Sequence, residues 1–234
     1  MKVSFIDKMG SDLSVVNAAR VSFSKTSDWV YEDVEEVDPE GRSIQHYKKA
    51  IGLKEGDERL IKYLSEHNHW TPFGHASLSF HIKAPIFVAR QLVKHTVGLV
   101  WNEVSRRYVN SPPEFYFPVC WRQTHENKKQ GSYEDVFVDL NENQQSGVKA
   151  LAGKCSEWYS KLLELGVCAE QARMILPQNM YTEWYWSGTL YAFARVCNLR
   201  CKQDTQKETR DVADEISAIA AQHFPVSWKY LKKD

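Results

Sequence analysis

Ser77-Leu78-Ser79-Phe80-His81-Ile82-Lys83-Ala84-Pro85-Ile86-Phe87-Val88-Ala89-Arg90-Gln91-Leu92-Val93-Lys94-His95-Thr96 is the stretch on which the fold turns. Leu78, Phe80 and Ile82 alternate with Ser77, Ser79, His81 and Lys83, the period-two pattern of a half-buried strand. Pro85 then stands where a helix begins, because a first turn needs no N–H from it and its fixed φ is already helical. Ile86 to Thr96 continues as that helix, with an apolar back of Ile86, Ala89 and Val93. Arg90 with Lys94, and Gln91 with His95, are spaced i, i+4 and project from the polar front.

On the N-terminal side, Lys2 to Ile6 reads as a short edge strand. Asp12 caps a helix through Leu13, Val16 and Ala19 that ends near Arg20-Val21-Ser22-Phe23. Lys25 to Gly56 is polar and acidic, with turn chemistry at Pro39-Glu40-Gly41-Arg42. It predicts a loop or insertion carrying a short helix around His46–Ala50. Asp57 starts a helix with Leu60, Ile61 and Leu64 on one face, stopped by Pro72. On the C-terminal side, Glu114 to Phe117 reads as a strand and Thr124 to Ser132 as a charged surface loop. Asp135 to Leu165 reads as a long helix closed by Gly166. Glu170 to Trp186 reads as a helix kinked at Pro177. Two more helices follow over Thr189–Cys201 and Thr205–Phe224, the last with Val212, Ile216, Ile219 and Ala220 at helical spacing. The order predicts a single α+β domain over residues 1–234, with a small antiparallel-type sheet and a helix-rich second half.

The chain has 234 residues, 30 basic and 30 acidic, so its net charge is zero. That argues against bulk electrostatic capture of nucleic acid, and no apolar run approaches membrane-span length. Eight tryptophans, eleven tyrosines and ten phenylalanines suit a flat-ring pocket or a subunit interface, although core and surface packing accounts for most of them. Cys120, Cys155, Cys168, Cys197 and Cys201 form no CxxC pair, and no histidine pair at metal spacing accompanies them. Met1-Lys2-Val3-Ser4 runs straight into a strand-like segment rather than a secretory leader. A reduced, cytoplasmic enzyme without a metal is expected.

The densest chemistry lies in Arg90-Gln91-Leu92-Val93-Lys94-His95-Thr96 and Asn102-Glu103-Val104-Ser105-Arg106-Arg107-Tyr108. Arginine grips phosphate in a bidentate fork, and Asn102, Glu103 and Ser105 can read a base or ribose. Taken singly, each of these residues fits a solvated face. Together with Trp101, Val104 and Tyr108 they imply a partly buried site for a phosphorylated, hydrogen-bonding ligand.

These residues resemble the flavin-dependent thymidylate synthases, whose signature has the form Arg-His-Arg, a short spacer, then Asn-Glu-x-Ser-x-Arg-Tyr. Other family-like blocks follow in order: Ala18-Ala19-Arg20-Val21-Ser22-Phe23, His67-x-His69-x-Thr71-Pro72-Phe73-x-His75, Lys83-Ala84-Pro85-Ile86-Phe87-Val88-Ala89-Arg90-Gln91, Ala172-Arg173-x-x-Leu176-Pro177-x-x-x-Tyr181-Thr182 and Asn198-Leu199-Arg200. The resemblance implies FAD held by Ser22, His69, Thr71, Lys94, His95, Thr96, Asn102 and Glu103. It implies dUMP held by Gln91, Glu103, Val104, Ser105, Arg106, Arg107, Arg173 and Arg200, with Arg200 favouring ionisation of the uracil. It also implies a homotetramer with shared active sites, and NADPH and 5,10-methylenetetrahydrofolate as co-substrates. Reduced flavin then takes over the part that a cysteine nucleophile plays in ordinary thymidylate synthases. Lys94 and Thr96 stand where the family has arginines, Gly74 where a glutamate is common, and Thr189-Leu190-Tyr191 where a more polar segment is usual. Arg195, one turn on, is a substitute flavin contact. A flavin reductase without dUMP chemistry, a single-stranded nucleic-acid binding module and a structural or interaction protein are the competing readings.

Overall fold

The computed structural model describes residues 1–37, 42, 44–109, 111–126 and 132–233. At its centre is an antiparallel sheet in the order β1 (Lys2–Met9), β4 (Ser77–Pro85), β8 (Tyr181–Thr189), β5 (Leu99–Glu103). Leu78, Phe80, Ile82 and Ala84 on β4 and Thr182, Trp184 and Trp186 on β8 face the core. Trp101 stacks on Trp184 with centroids 4.3 Å apart, and Phe193 meets both Phe80 and Trp186 edge-on. The residues between them turn the other way. There Ser79 and Ser187 join hydroxyls at 2.6 Å, His81 reaches Glu183 at 3.0 Å, and His81 stacks on Tyr185.

The core face is covered by α1 (Asp12–Arg20), α2 (Glu55–Glu66), α3 (Ile86–Leu92), α6 (Leu190–Arg200), α7 (Lys207–His223) and α8 (Pro225–Leu231), whose buried residues join one cluster with the sheet. The edge strand, the alternating strand and the helices from Asp12, Thr189 and Thr205 appear where the sequence puts them. Asp12 itself is not the cap of its helix. Ser11 holds that position, and the buried Asp12 carboxylate accepts from the Val226 and Ser227 N–H groups at 3.0 and 2.8 Å, capping α8 instead.

Four expectations are corrected. The helix expected at His46–Ala50 is a strand: β2 (Val30–Val37) and β3 (Ile44–Gly52) form an antiparallel hairpin, pairing Glu32 with Lys49 and Asp33 with Lys48. Opposite charges across a ladder favour this pairing. The turn expected at Pro39-Glu40-Gly41 lies outside the described residues. So does the middle of the Thr124–Ser132 loop, whose ends Thr124 and Ser132 pair between β6 (Trp121–Thr124) and β7 (Ser132–Val138). The long helix therefore begins late, as α4 (Glu142–Glu164), where Asn141 and Gln144 form a capping box; Gly166 at φ 83° follows its end. Pro177 ends a helix rather than kinking one: α5 (Ala169–Ala172) and a 3-10 turn at Arg173–Ile175 give way to β8. The aromatic and β-branched content of Tyr181-Thr182-Glu183-Trp184-Tyr185-Trp186 favours a strand. Glu114 to Phe117 is not a ladder, since only Phe115 bridges, to Met180.

Candidate active site

The helix after Pro85 stops at Leu92, short of the expected Thr96. The chain must reverse there to enter β5, and Gly98, at φ 77°, makes the turn. Its carbonyl accepts from the Thr189 N–H at 3.0 Å. A Cβ at Gly188 would stand 2.2 Å from that same carbonyl oxygen, so β5 meets β8 backbone to backbone. Lys94, His95 and Thr96 thus leave the helix and sit on a turn against α6, and the i, i+4 pairs are not on one continuous helix.

That turn gathers one group of the expected residues. Lys94, His95, Thr96 and Arg195 line a cavity of about 170 Å³ with Leu99 and Leu199. Gln91 and Arg200 share a neighbouring cavity of about 480 Å³ with Leu199, Asp204 and Gln206. The two are joined by a hydrogen bond in which Arg200 Nε donates to His95 Nε2 at 3.0 Å. Burial holds the His95 pKa below its usual value, and the Arg200 and Arg195 charges lower it further. A neutral ring that accepts at Nε2 follows. Among the described residues Lys94, Arg195 and Arg200 have no carboxylate partner.

A second group lies at the end of β5 and β8. Glu103, Val104, Arg106 and Arg173 line a cavity of about 540 Å³ together with Lys83, Glu114, Glu170, Tyr181, Thr182 and Glu183. Glu103 accepts from the Thr182 hydroxyl at 2.7 Å and the Trp101 indole at 3.1 Å. Arg106 donates to the Ser111 carbonyl. Arg107 donates from Nε to Ser105 Oγ at 3.2 Å and lies 3.6 Å from Glu170. Arg173 has no ion-pair partner among the described residues. Strand alternation turns Asn102 away from Glu103, onto the helix-free face, where it pairs with Tyr185. Ser22, His69 and Thr71 are exposed on turns and line none of these cavities.

No cysteine lines the three cavities. Cys197 is fully buried, its thiol bonded to the Ala213 carbonyl, and burial raises its pKa well above the usual value. It is a core thiol. The sequence reading marks Tyr181 and Thr182 only as part of a family-like block, without a site role, and it missed Glu183, which period-two alternation beyond Pro177 would have revealed. It also missed Gln206, which no local pattern marks.

The family model described as "Thymidylate synthase complementing protein" matches residues 4–226. The chain belongs to that family. Its relatives include a protein named flavin-dependent thymidylate synthase from Kosmotoga olearia, 35% identical over 97% of this chain and 88% of the relative. Another of that name, from Thermus thermophilus, is 36% identical over 97% of this chain and 73% of the relative. Among solved structures, a UMP/dUMP methylase, PolB from Streptomyces cacaoi bound with 5-Br dUMP, superposes with a TM-score of 0.77. It is 28% identical, and the match covers 98% of this chain and 93% of that one. The small antiparallel sheet with its helical cover is therefore shared with that structure.

Proposed function

We propose that the chain is a flavin-dependent thymidylate synthase, converting dUMP to dTMP with bound FAD and with NADPH and 5,10-methylenetetrahydrofolate as co-substrates. The observation that carries this reading is the uncompensated positive charge of Lys94, Arg195 and Arg200 around a neutral His95, beside Gln91. Arg200 is half-buried, while Lys94 and Arg195 stand exposed at the cavity wall with no carboxylate partner among the described residues; such a donor set suits an anionic ligand, and a dinucleotide pyrophosphate fits it. The relatives' name and the dUMP analogue on the structural neighbour point to the same chemistry.

Lys94, His95, Thr96 and Arg195 hold FAD, with Ser22, His69, Thr71, Asn102 and Glu103 completing its site. Gln91, Glu103, Val104, Ser105, Arg106, Arg107, Arg173 and Arg200 hold dUMP. Reduced flavin, when bound, supplies the hydride that takes the one-carbon unit to the methyl level. Arg200 stabilises negative charge developing on the uracil, and His95, by accepting its Nε–H, leaves the other guanidinium N–H groups for the ligand. In one copy Gln91 and Arg200 open into a different cavity from Glu103 and Arg173. This division supports a homotetramer of one domain, residues 1–234, with active sites completed between subunits. Five free cysteines suit the reducing cytoplasm.

An absorbance spectrum of the purified protein, with and without dUMP, tests cofactor and substrate together. Flavin bands that dUMP perturbs, with tritium released from 5-tritiated dUMP on turnover, are expected. A colourless protein that releases none overturns the reading.

A further inference from the structure

Gln91 is held from behind by a chain of side chains whose polarity has one solution. Its Nε2 donates to Gln206 Oε1, and its Oε1 accepts from the Thr209 hydroxyl at 3.1 Å. Gln206 Nε2 in turn donates to Glu208 Oε2 at 3.2 Å, and Arg122 donates to the same oxygen at 2.9 Å. Tyr116 OH points at the other carboxylate oxygen, 3.5 Å away.

An amide reads almost the same when flipped, and a hydroxyl serves either way. A carboxylate does not, because ionised it only accepts. Glu208 therefore fixes the Gln206 amide with its NH2 toward the carboxylate and its carbonyl toward Gln91. That in turn fixes Gln91 with its NH2 toward Gln206 and its carbonyl toward Thr209. One N–H and one lone pair of Gln91 remain for the cavity it shares with Arg200.

Glu208 is suited to this part. It is 5% exposed, and it lies in the first turn of α7, where the helix dipole favours an anion. Burial would raise its pKa, but the Arg122 hydrogen bond and the local backbone N–H outweigh that and hold it low. Tyr116, pushed up to about 12 by burial and the nearby Glu208, keeps its proton to donate. Gln206 is the residue before α7, yet its side chain does not cap the helix; it is spent on the chain to Gln91.

We propose that Glu208 is a positioning residue for nucleotide binding: acting through Gln206, its carboxylate sets the orientation in which Gln91 meets dUMP. The inference rests on the assignment of Gln91 to dUMP made above.

The test is a double-mutant cycle on the full-length protein, read as dUMP affinity by calorimetry. Glu208→Gln is combined with Arg122→Met, so that no guanidinium is left buried and unpaired. Gln206→Met interrupts the chain while keeping the Arg122–Glu208 pair, and decides the matter alone if the first variant does not fold. Each is expected to weaken dUMP binding about fivefold to tenfold, the loss of roughly one oriented hydrogen bond. Glu208→Asp, still an acceptor only, should stay within about twofold. In a Gln91→Ala background the same changes should cost nothing further. A merely structural role predicts full additivity there, and additivity, or unweakened binding by the Gln206→Met protein, overturns the proposal. If Gln91→Ala alone leaves dUMP affinity unchanged, the assignment of Gln91 itself is wrong, and the relay with it.

Discussion

Replacing Arg200 with alanine removes two things at once, and they are read by different assays. The first is the charged donor proposed for dUMP. A hydrogen bond to a charged group contributes about 1.5–3 kcal/mol, so turnover should fall about tenfold to a hundredfold, with tritium release from 5-tritiated dUMP as the measure. The second is a positive charge 3.0 Å from His95. Burial depresses the His95 pKa most and Arg200 comes next, ahead of Arg195. In the variant the His95 pKa should therefore rise but stay below its ordinary value, followed through the ring protons in an NMR titration. Arg200→Lys should keep part of the charge effect yet lose the Nε–H aimed at His95, leaving turnover nearer that of alanine than of the parent. Turnover within about twofold of the parent together with an unmoved His95 pKa refutes the reasoning, since both consequences come from one guanidinium.

Three further outcomes are expected. His95→Ala should purify with less flavin than the parent, measured as the ratio of flavin to protein absorbance; a full complement contradicts its place in the cofactor site. Asp12→Ala strips two N–H groups of α8, that of Ser227 buried and that of Val226 half-buried, of their acceptor and should cost about 2–3 kcal/mol in guanidinium unfolding with m unchanged; a loss under about 1 kcal/mol contradicts the capping role. His95 and His223 both have pKa values lowered from 6.5, each by burial first and then by nearby cations. The unfolded chain thus takes up protons before the folded one, so their contribution is complete above about pH 6.5 and is lost as pH falls toward the folded values. Denaturation midpoints across that range check the direction, and added stability on acidification contradicts it.

The strand through Leu78, Phe80 and Ile82 and the helices begun by Asp12, Thr189 and Thr205 were legible because one-sided burial writes its period into the sequence. Trp184 and Trp186 were misread for the opposite reason. Their strand is heavy with aromatics on both faces, and Pro177 a few residues earlier resembles a kink. The β2–β3 hairpin has exposed residues along nearly its whole length, so no apolar period announced it, and its charge pairing shows only once the partner strand is known. At the site, Lys94, His95 and Thr96 of the motif share one cavity with Arg195 from α6, but not on a helix, because the turn at Gly98 depends on β8. Asn102 and Glu103, adjacent in sequence, part onto opposite faces for the same reason.

The backbone contact at Gly188 has a consequence for anyone reshaping this enzyme. A side chain there would press on the Gly98 carbonyl and on Leu99, and the strand it displaces carries the flanking turn and Glu103 with it. Saturation of codon 188, selected for growth without thymidine, should return glycine alone.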